Sequence, residues 1–206
     1  MLFISGPAAT DAVTGVNKYT FRSGRQSFQD VLAAKSFMAD AAGKKVLVFA
    51  QDSAFGKANV DAVTSLIGKA GASVSNIAVP ASAADFTPFA GRVKEAKPDL
   101  LFVAWAGTTA PAMWQSLEQQ GVLGSTTVVT GLDQRSSWSI FGTAGSKVSL
   151  LAHYFDGASD NAATTALRQA VPGGKLDLFH PDGFAGAQMI VRAAQGASET
   201  CRSWEW

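Results

Sequence analysis

Four short segments of this 206-residue chain combine small residues with aromatic, hydroxyl and acidic side chains. Each follows a run of residues that predicts a β-strand. The segments contain the aromatic rings of Phe55 and Trp105, the hydroxyl of Thr10, and the carboxylates of Asp52 and Asp133. An aromatic wall beside one carboxylate suits a small solute that has an apolar body and a cationic end. The four segments are residues 6–10, 51–56, 105–109 and 131–135.

Motifs of catalytic and nucleotide-binding sites are absent from the sequence. It contains no G-x-x-x-x-G-K-[ST] phosphate loop, no G-x-G-x-x-G after a strand, no G-x-S-x-G, no H-E-x-x-H and no EF-hand loop. Because the chain has two histidines and one cysteine, any metal site would depend on carboxylates. We therefore predict no catalytic residues, no bound metal and no cofactor.

Other polar residues have plainer interpretations. His153 lies in an apolar run and is interpreted as structural, whereas Asp182 precedes an apolar-periodic helix and is interpreted as its N-cap. Cys201 lies in a polar tail and has no predicted role. Two hypotheses stay open for Arg22 and Arg25. They are surface or ion-pairing residues at a domain boundary, or they belong to a binding cleft.

The elements that must position the four segments alternate between strand and helix. The apolar run at residues 46–50 predicts a strand buried on both faces, and Val60, Val63 and Ile67 predict an amphipathic helix after it. The pattern repeats about every 25 to 30 residues, which predicts a parallel sheet with helices on both faces. Open parallel sheets bind ligands outside the carboxyl ends of their strands, where the four segments would lie.

Composition and charge narrow the class of protein further. Hydrophobic residues make up 47% of the chain and charged residues 16%, so it can bury a core. The net charge is +1 with no basic stripe, which argues against nucleic acid as a partner. No apolar run is long enough to predict a transmembrane helix, and the opening MLFISGP does not look like a secretory signal.

Several motifs in order resemble one known family. They are the D-x-x-[YF]-G loop in KKVLVFAQDSAFGKANVDAV, the D-F-[ST] helix start, the P-D-hydrophobic strand before VAWAG, the strand end TTVVTGLD, and a closing D-G-[FY]-x-x-[AG]-x-x-[LI] helix. From about residue 1 to about residue 194 the chain resembles the branched-chain amino-acid-binding family of periplasmic proteins. The resemblance implies the α/β type I periplasmic-binding-protein fold, with parallel sheets flanked by helices.

The resemblance also implies a domain organisation. Family members have two α/β lobes joined by three crossings, with the ligand between the lobes. Residues 1–26 then form the end of the first lobe and a hinge crossing, and residues 27–147 form a near-complete second lobe. Residues 148–206 return to the first lobe, of which only part is expected here. The tail from about residue 196 does not resemble the family, and the family's first strand and secretory signal would lie upstream of Met1.

Six ligand-binding residues are implied by the resemblance. Two of them, Ala8 and Thr10, match positions that hold the ligand carboxylate through a backbone N–H and a hydroxyl, which form charge-assisted hydrogen bonds. Phe55 matches a position that is often Tyr and packs on the ligand. The remaining three are Trp105 and Ala106, where the family has an aromatic residue beside small ones, and Asp133, near the acid that meets the ligand ammonium.

The function implied is that of an extracytoplasmic, periplasmic substrate-binding protein of an ABC importer. It would bind a small amino-acid-like solute and deliver it to a membrane permease. Since Phe55 replaces Tyr and the aromatic arrangement differs, the solute could also be an amide or an aromatic acid. Two alternatives remain: a ligand-sensing regulatory domain of the same fold, and an α/β enzyme that uses Asp52, Ser53 and Asp133.

Overall fold

The computed structural model describes the backbone of residues 2–202 and the side chains of residues 2–196. The chain forms two compact units. One unit is continuous, Gln26–His153, and the other combines the residues up to Arg25 with those from Tyr154 onward. In the tail that does not resemble the family, the side chains of residues 197–206, that of Cys201 among them, lie outside the described residues.

The continuous unit contains a five-stranded parallel sheet with the strand order β4-β3-β5-β6-β7. The predicted alternation of strands and helices is confirmed, with one crossover helix after each of the first strands. The strands are β3 (Lys45–Gln51), β4 (Ser73–Val79), β5 (Leu100–Ala104), β6 (Thr127–Gly131) and β7 (Ser149–Leu151). The helices are α1 (Ser27–Lys35), α2 (Ala54–Val63, with a π turn at Thr64–Gly68), α3 (Thr87–Ala96) and α4 (Ala110–Gln119).

Two apolar cores lie on opposite faces of this sheet. Because side chains alternate along a strand, Leu47 and Phe49 of β3 join the core beneath α3 and α4. Val46 and Val48 of the same strand join the core beneath α1 and α2. Burial on both faces explains why the central strands are almost continuously apolar.

The start of β5 is tied to the start of β3 by the P-D motif. The Asp99 carboxylate accepts a hydrogen bond of 2.8 Å from the Lys45 N–H and one of 3.3 Å from Lys44 Nζ. The Lys45 hydrogen bond lowers the pKa of Asp99. This acid therefore fixes the register between two neighbouring strands whose carboxyl ends bear candidate site residues.

The discontinuous unit contains a two-stranded parallel sheet, β1 (Phe3–Ser5) and β2 (Thr20–Arg22). Its helices are α5 (Ala162–Ala170) and α6 (His180–Arg202). The Asn161 side chain caps α5 by accepting a hydrogen bond from the Thr164 N–H at 2.9 Å. None of the helices in the described part of the chain is both long and apolar enough to cross a bilayer.

The division into lobes at residues 147 and 148 remains a prediction from the resemblance. The segment after residue 148 belongs to the continuous unit, which extends to His153. The reason is β7, which pairs in parallel with β6, and the Leu151 carbonyl also accepts a hydrogen bond from the Leu132 N–H. These backbone bonds hold the segment after residue 148 in the five-stranded sheet.

The interpretation of Asp182 as an N-cap is wrong. Helix α6 begins at His180, so Asp182 lies in its first turn and not before it. The Asp182 side chain is buried, and its Oδ2 lies 3.0 Å from the position that a Cβ on Gly24 would occupy. Asp182 is therefore an interior acid of the discontinuous unit. Glycine is required at position 24 because a Cβ there would lie 1.9 Å from the Gly6 carbonyl oxygen.

Candidate functional site

Four of the six predicted site residues follow neighbouring strands at one edge of the five-stranded sheet. Ala50 of β3 pairs with Ala104 of β5, and Val103 of β5 pairs with Thr130 of β6. The segments after these three strands therefore leave the sheet at the same level and side by side. They carry Phe55 after β3, Trp105 and Ala106 after β5, and Asp133 after β6.

The Trp105 ring is held in place from three directions. It stacks on Phe49 with a centroid distance of 5.7 Å and an interplanar angle of 21°, and it meets Phe86 edge to face at 5.4 Å. Its Nε1–H donates to Thr109 Oγ1 at 3.2 Å. Since Trp105 is only partly buried, part of the indole remains as a fixed apolar surface at the carboxyl edge.

The N–H of Ala106 is already in use. It donates to Gln51 Oε1 at 3.3 Å, which joins the loop after β5 to the last residue of β3. Ala106 can therefore offer a solute its methyl group and carbonyl oxygen but not its N–H without breaking this bond. The role of Gln51 as a brace between the two loops has no signal in the sequence, because a strand-end glutamine usually faces solvent.

The D-x-x-[YF]-G motif has a physical explanation at the start of α2. Ser53 Oγ accepts a hydrogen bond from the Gly56 N–H at 3.1 Å and so caps the helix. A Cβ on Gly56 would lie 1.9 Å from the Gln51 carbonyl oxygen, so only glycine fits there. This tight turn displays Phe55, whose side chain is wholly apolar and which is 47% exposed. Its ring is available as a second apolar surface.

Asp133 is positioned by its own loop. Its Oδ1 accepts a hydrogen bond from the Gln134 N–H at 2.7 Å, and its carbonyl oxygen accepts one from Trp138 Nε1 at 2.7 Å. The Arg135 guanidinium lies over the Trp138 ring, 5.9 Å from its centroid. Asp133 is partly exposed, and its carboxylate retains lone pairs for a ligand cation.

The other two predicted residues lie in the discontinuous unit, in the loop after β1. Arg22 Nη1 donates to the Ala8 carbonyl and Arg22 Nη2 to the Thr10 carbonyl. Within the described part of the chain, the N–H of Ala8 and the N–H and hydroxyl of Thr10 make no hydrogen bond to protein. The resemblance implied that a backbone N–H and a hydroxyl at these two positions hold a ligand carboxylate.

No metal centre is evident in the described residues. In that part of the chain, no group of three or more His, Cys, Asp or Glu side chains is placed to hold a metal ion. The carboxyl edge of the continuous unit offers apolar surfaces and one open carboxylate, and the loop after β1 in the discontinuous unit offers N–H and O–H donors. Groups of these kinds are typical of sites for organic solutes.

The sequence matches the model of one protein family, described as periplasmic binding protein, over residues 1–203. The chain belongs to the periplasmic binding protein family. No curated protein shows significant sequence similarity to it. The predicted type I periplasmic-binding-protein fold is confirmed by this match and by solved structures.

Three solved structures illustrate what this periplasmic binding protein is similar to. An ABC-type branched-chain amino acid transporter protein from Rhodopseudomonas palustris is 26% identical, with a TM-score of 0.68 over 90% of this chain and 52% of its own. A solute-binding protein from R. palustris in complex with 4-hydroxybenzoate is 20% identical, with a TM-score of 0.71 over 92% and 54%. A leucine-binding protein from Thermotoga maritima is 16% identical, with a TM-score of 0.70 over 92% and 55%.

This periplasmic binding protein therefore spans about half the length of those structures. The first two of these structures are named as ABC-transporter proteins and the third as a leucine-binding protein. Three positioning residues, Gln51, Trp138 and Arg22, were missed or left open by the sequence analysis. Each acts through a hydrogen bond between its side chain and a backbone group. Such bonds produce no recognisable pattern of residue types in the sequence.

Proposed function

We propose that this periplasmic binding protein binds a small organic solute that bears a carboxylate, as the substrate-binding component of an ABC importer. The observation that carries the proposal is the carboxyl edge of the five-stranded sheet. There, the fixed ring of Trp105 and the open carboxylate of Asp133 follow adjacent strands. A rigid apolar surface and one charged group in a fixed position are typical of a preorganised solute-binding site.

Each end of the solute has a chemical counterpart in this proposal. The unpaired N–H of Ala8 and the N–H and hydroxyl of Thr10 donate to the solute carboxylate. The Asp133 carboxylate accepts hydrogen bonds from the solute ammonium. The Gln134 N–H occupies one lone pair of Oδ1, and the other lone pairs of the carboxylate remain for the solute. Phe55, Trp105 and the methyl group of Ala106 contact the apolar body.

An amino acid is the first candidate for the solute. An α-amino acid carries both a carboxylate and an ammonium, and Asp133 would be left without a partner by a solute that lacks the ammonium. The similar structures named for branched-chain amino acids and for leucine support this choice.

An aromatic acid is the second candidate. Phe55 replaces the Tyr common at this position, so the exposed ring offers an apolar face without a hydroxyl. The similar structure in complex with 4-hydroxybenzoate supports a solute of this class. The two candidates share the carboxylate and differ in the ammonium, so Asp133 distinguishes them.

Delivery to a membrane permease outside the cytoplasm completes the proposal. It is supported by membership of the periplasmic binding protein family and by the ABC-transporter origin of the similar structures. The alternatives of a regulatory domain and of an enzyme predict different behaviour. A regulatory domain would act on a fused or bound effector, and an enzyme would turn its solute over.

A thermal-melt screen of the purified chain tests the proposal. The panel contains amino acids, their amides, and benzoates with and without hydroxyl groups, each at several concentrations. We expect one carboxylate class to raise the melting temperature saturably, because a solute at about 100 times its Kd adds about 2.7 kcal/mol to the free energy of unfolding. A cooperative melt that no carboxylate shifts would contradict the proposal, as would chemical conversion of the solute.

A further inference from the structure

The guanidinium of Arg22 lies at the centre of the loop that carries Ala8 and Thr10. Its Nε donates to Thr14 Oγ1 at 3.1 Å, and its Nη1 donates to the Arg25 carbonyl at 2.7 Å. The same guanidinium also donates to the carbonyls of Ala8 and Thr10. One side chain at the end of β2 thus connects the loop after β1 to the segment after β2.

Holding these carbonyls sets the direction of the peptide N–H groups. The chain has no cis peptide bond in its described part, so each C=O and the N–H of the same peptide unit point in opposite directions. With the Ala8 and Thr10 carbonyls turned to Arg22, the N–H groups of the same peptide units, which belong to Ala9 and Asp11, point away from it. The Pro7 carbonyl is held similarly by Arg25 Nη1 at 3.4 Å, which turns the Ala8 N–H outward. Arg22 and Arg25 together therefore fix the path of the backbone through this loop.

The charge of Arg22 is not balanced by an acid. All four of its hydrogen bonds go to neutral carbonyl or hydroxyl oxygens, and it makes no ion pair within the described part of the chain. Arg22 is also partly buried, so its charge has lost part of its hydration. A guanidinium with neutral partners leaves a positive potential around the loop, and that potential favours a negatively charged ligand.

We propose that Arg22 is a positioning residue of the carboxylate-binding loop and makes the protein prefer acids over their neutral amides. This inference rests on the proposed function, in which Ala8 and Thr10 bind the solute carboxylate. Arg22 acts without touching the solute: its fork fixes the path of the loop that carries Ala8 and Thr10, and its charge stabilises the anion. A purely structural arginine would have only the first effect and would serve acid and amide alike.

The test compares the affinities of acid and amide in matched variants of the 206-residue chain. The probes are L-leucine with L-leucinamide, and 4-hydroxybenzoate with 4-hydroxybenzamide, titrated by calorimetry. The variants are Arg22→Gln, which removes the charge, and Arg22→Lys, which keeps the charge but cannot hold four oxygens. Arg92→Gln on the exposed side of α3 is the matched control for loss of one arginine.

We expect Arg22→Gln to weaken binding of the acid by about tenfold or more while it weakens binding of the amide much less, so the acid-to-amide preference falls. Arg22→Lys should keep that preference but weaken both probes, since the loop is no longer held. Arg92→Gln should bind like the wild type. If Arg22→Gln does not fold, the Arg22→Lys titration tests the proposal instead. Acid and amide affinities equal to those of the wild type would then show that Arg22 does not position the loop.

The outcomes separate this inference from the proposed function. A wild-type chain that binds neither acid overturns both. A wild-type chain that binds an acid, with an acid-to-amide preference that Arg22→Gln leaves intact, overturns the role of Arg22 alone. Equal weakening of acid and amide by Arg22→Gln would make Arg22 a structural residue only.

Discussion

At the scale of residues, the candidate site depends on side chains that hold other site residues still. The Trp105 ring is fixed by Phe49, Phe86 and Thr109 before any solute arrives. Asp133 is held through its backbone by Trp138. Fixing a binding group in advance lowers the entropy lost when the solute binds. The neighbours of the site residues therefore matter to affinity as much as the contacts themselves.

Trp138 provides a direct check of this reasoning. The substitution Trp138→Phe keeps the ring over which Arg135 lies but removes the indole N–H that bonds the Asp133 carbonyl. One hydrogen bond is worth about 1 kcal/mol, so we expect affinity for an amino-acid solute to fall about fivefold. Calorimetric titration measures the change. Because Trp138 is 46% exposed, the melting temperature without solute should stay close to that of the wild type.

At the scale of elements, the parallel sheet brings together residues that are far apart in the sequence. Strands β3, β5 and β6 lie side by side, although complete crossover helices separate them along the chain. The cores on both faces fix the sheet, and Asp99 fixes the register of β3 against β5. The loops are therefore displayed by the most deeply buried part of the chain.

The tight turn between β3 and α2 can be tested with a pair of glycines. Gly56→Ala would place a Cβ 1.9 Å from the Gln51 carbonyl oxygen, so the start of α2 must move. We expect a loss of about 2 kcal/mol in the free energy of unfolding and weaker solute binding, because Phe55 moves with the helix.

Gly91 is the matched control for Gly56. It lies inside α3, and a Cβ there would meet nothing within 4 Å. Gly91→Ala should therefore stabilise the protein by up to about 1 kcal/mol, as alanine does in helix interiors. Denaturant unfolding monitored by circular dichroism measures both variants. A Gly56→Ala protein as stable as Gly91→Ala would show that the close approach at Gly56 does not constrain the turn.

At the scale of the whole molecule, the two units differ in how fully they bury apolar side chains. The two apolar cores on the faces of the five-stranded sheet consist of residues of the continuous unit. In the discontinuous unit Phe3, Phe21 and Ile190 are 48%, 44% and 54% exposed. The stability of the chain should therefore come mainly from the five-stranded sheet and its four helices.

The type of fold could be read from the sequence because it depends on local patterns. Apolar runs such as residues 46–50 and stripes such as Val60, Val63 and Ile67 predict βα units, and motifs such as D-x-x-[YF]-G mark the loops between them. The continuation of the five-stranded sheet into β7 depends on backbone pairing with β6, which has no composition signal.

The fine structure of the site was less accessible from the sequence. The hydrogen bond from Ala106 to Gln51 joins residues 55 positions apart, and Arg22 reaches back 14 positions to Ala8. Such bonds depend on the rotamer of one side chain and on the exact path of a loop. Residue types therefore indicate which groups could meet a solute but not which of their atoms are already occupied.

The affinity of Asp133→Asn for the amino acid that the wild type binds best tests whether the carboxyl edge of the five-stranded sheet binds a solute. Asp61→Asn is the matched control, because among the described residues the Asp61 carboxylate pairs with Lys57 on the exposed face of α2. If Asp133 binds a solute ammonium, Asp133→Asn should lower affinity by at least about 30-fold, or about 2 kcal/mol, while Asp61→Asn leaves it unchanged. Equal affinities for the two variants and the wild type would contradict a solute site at this edge of the sheet.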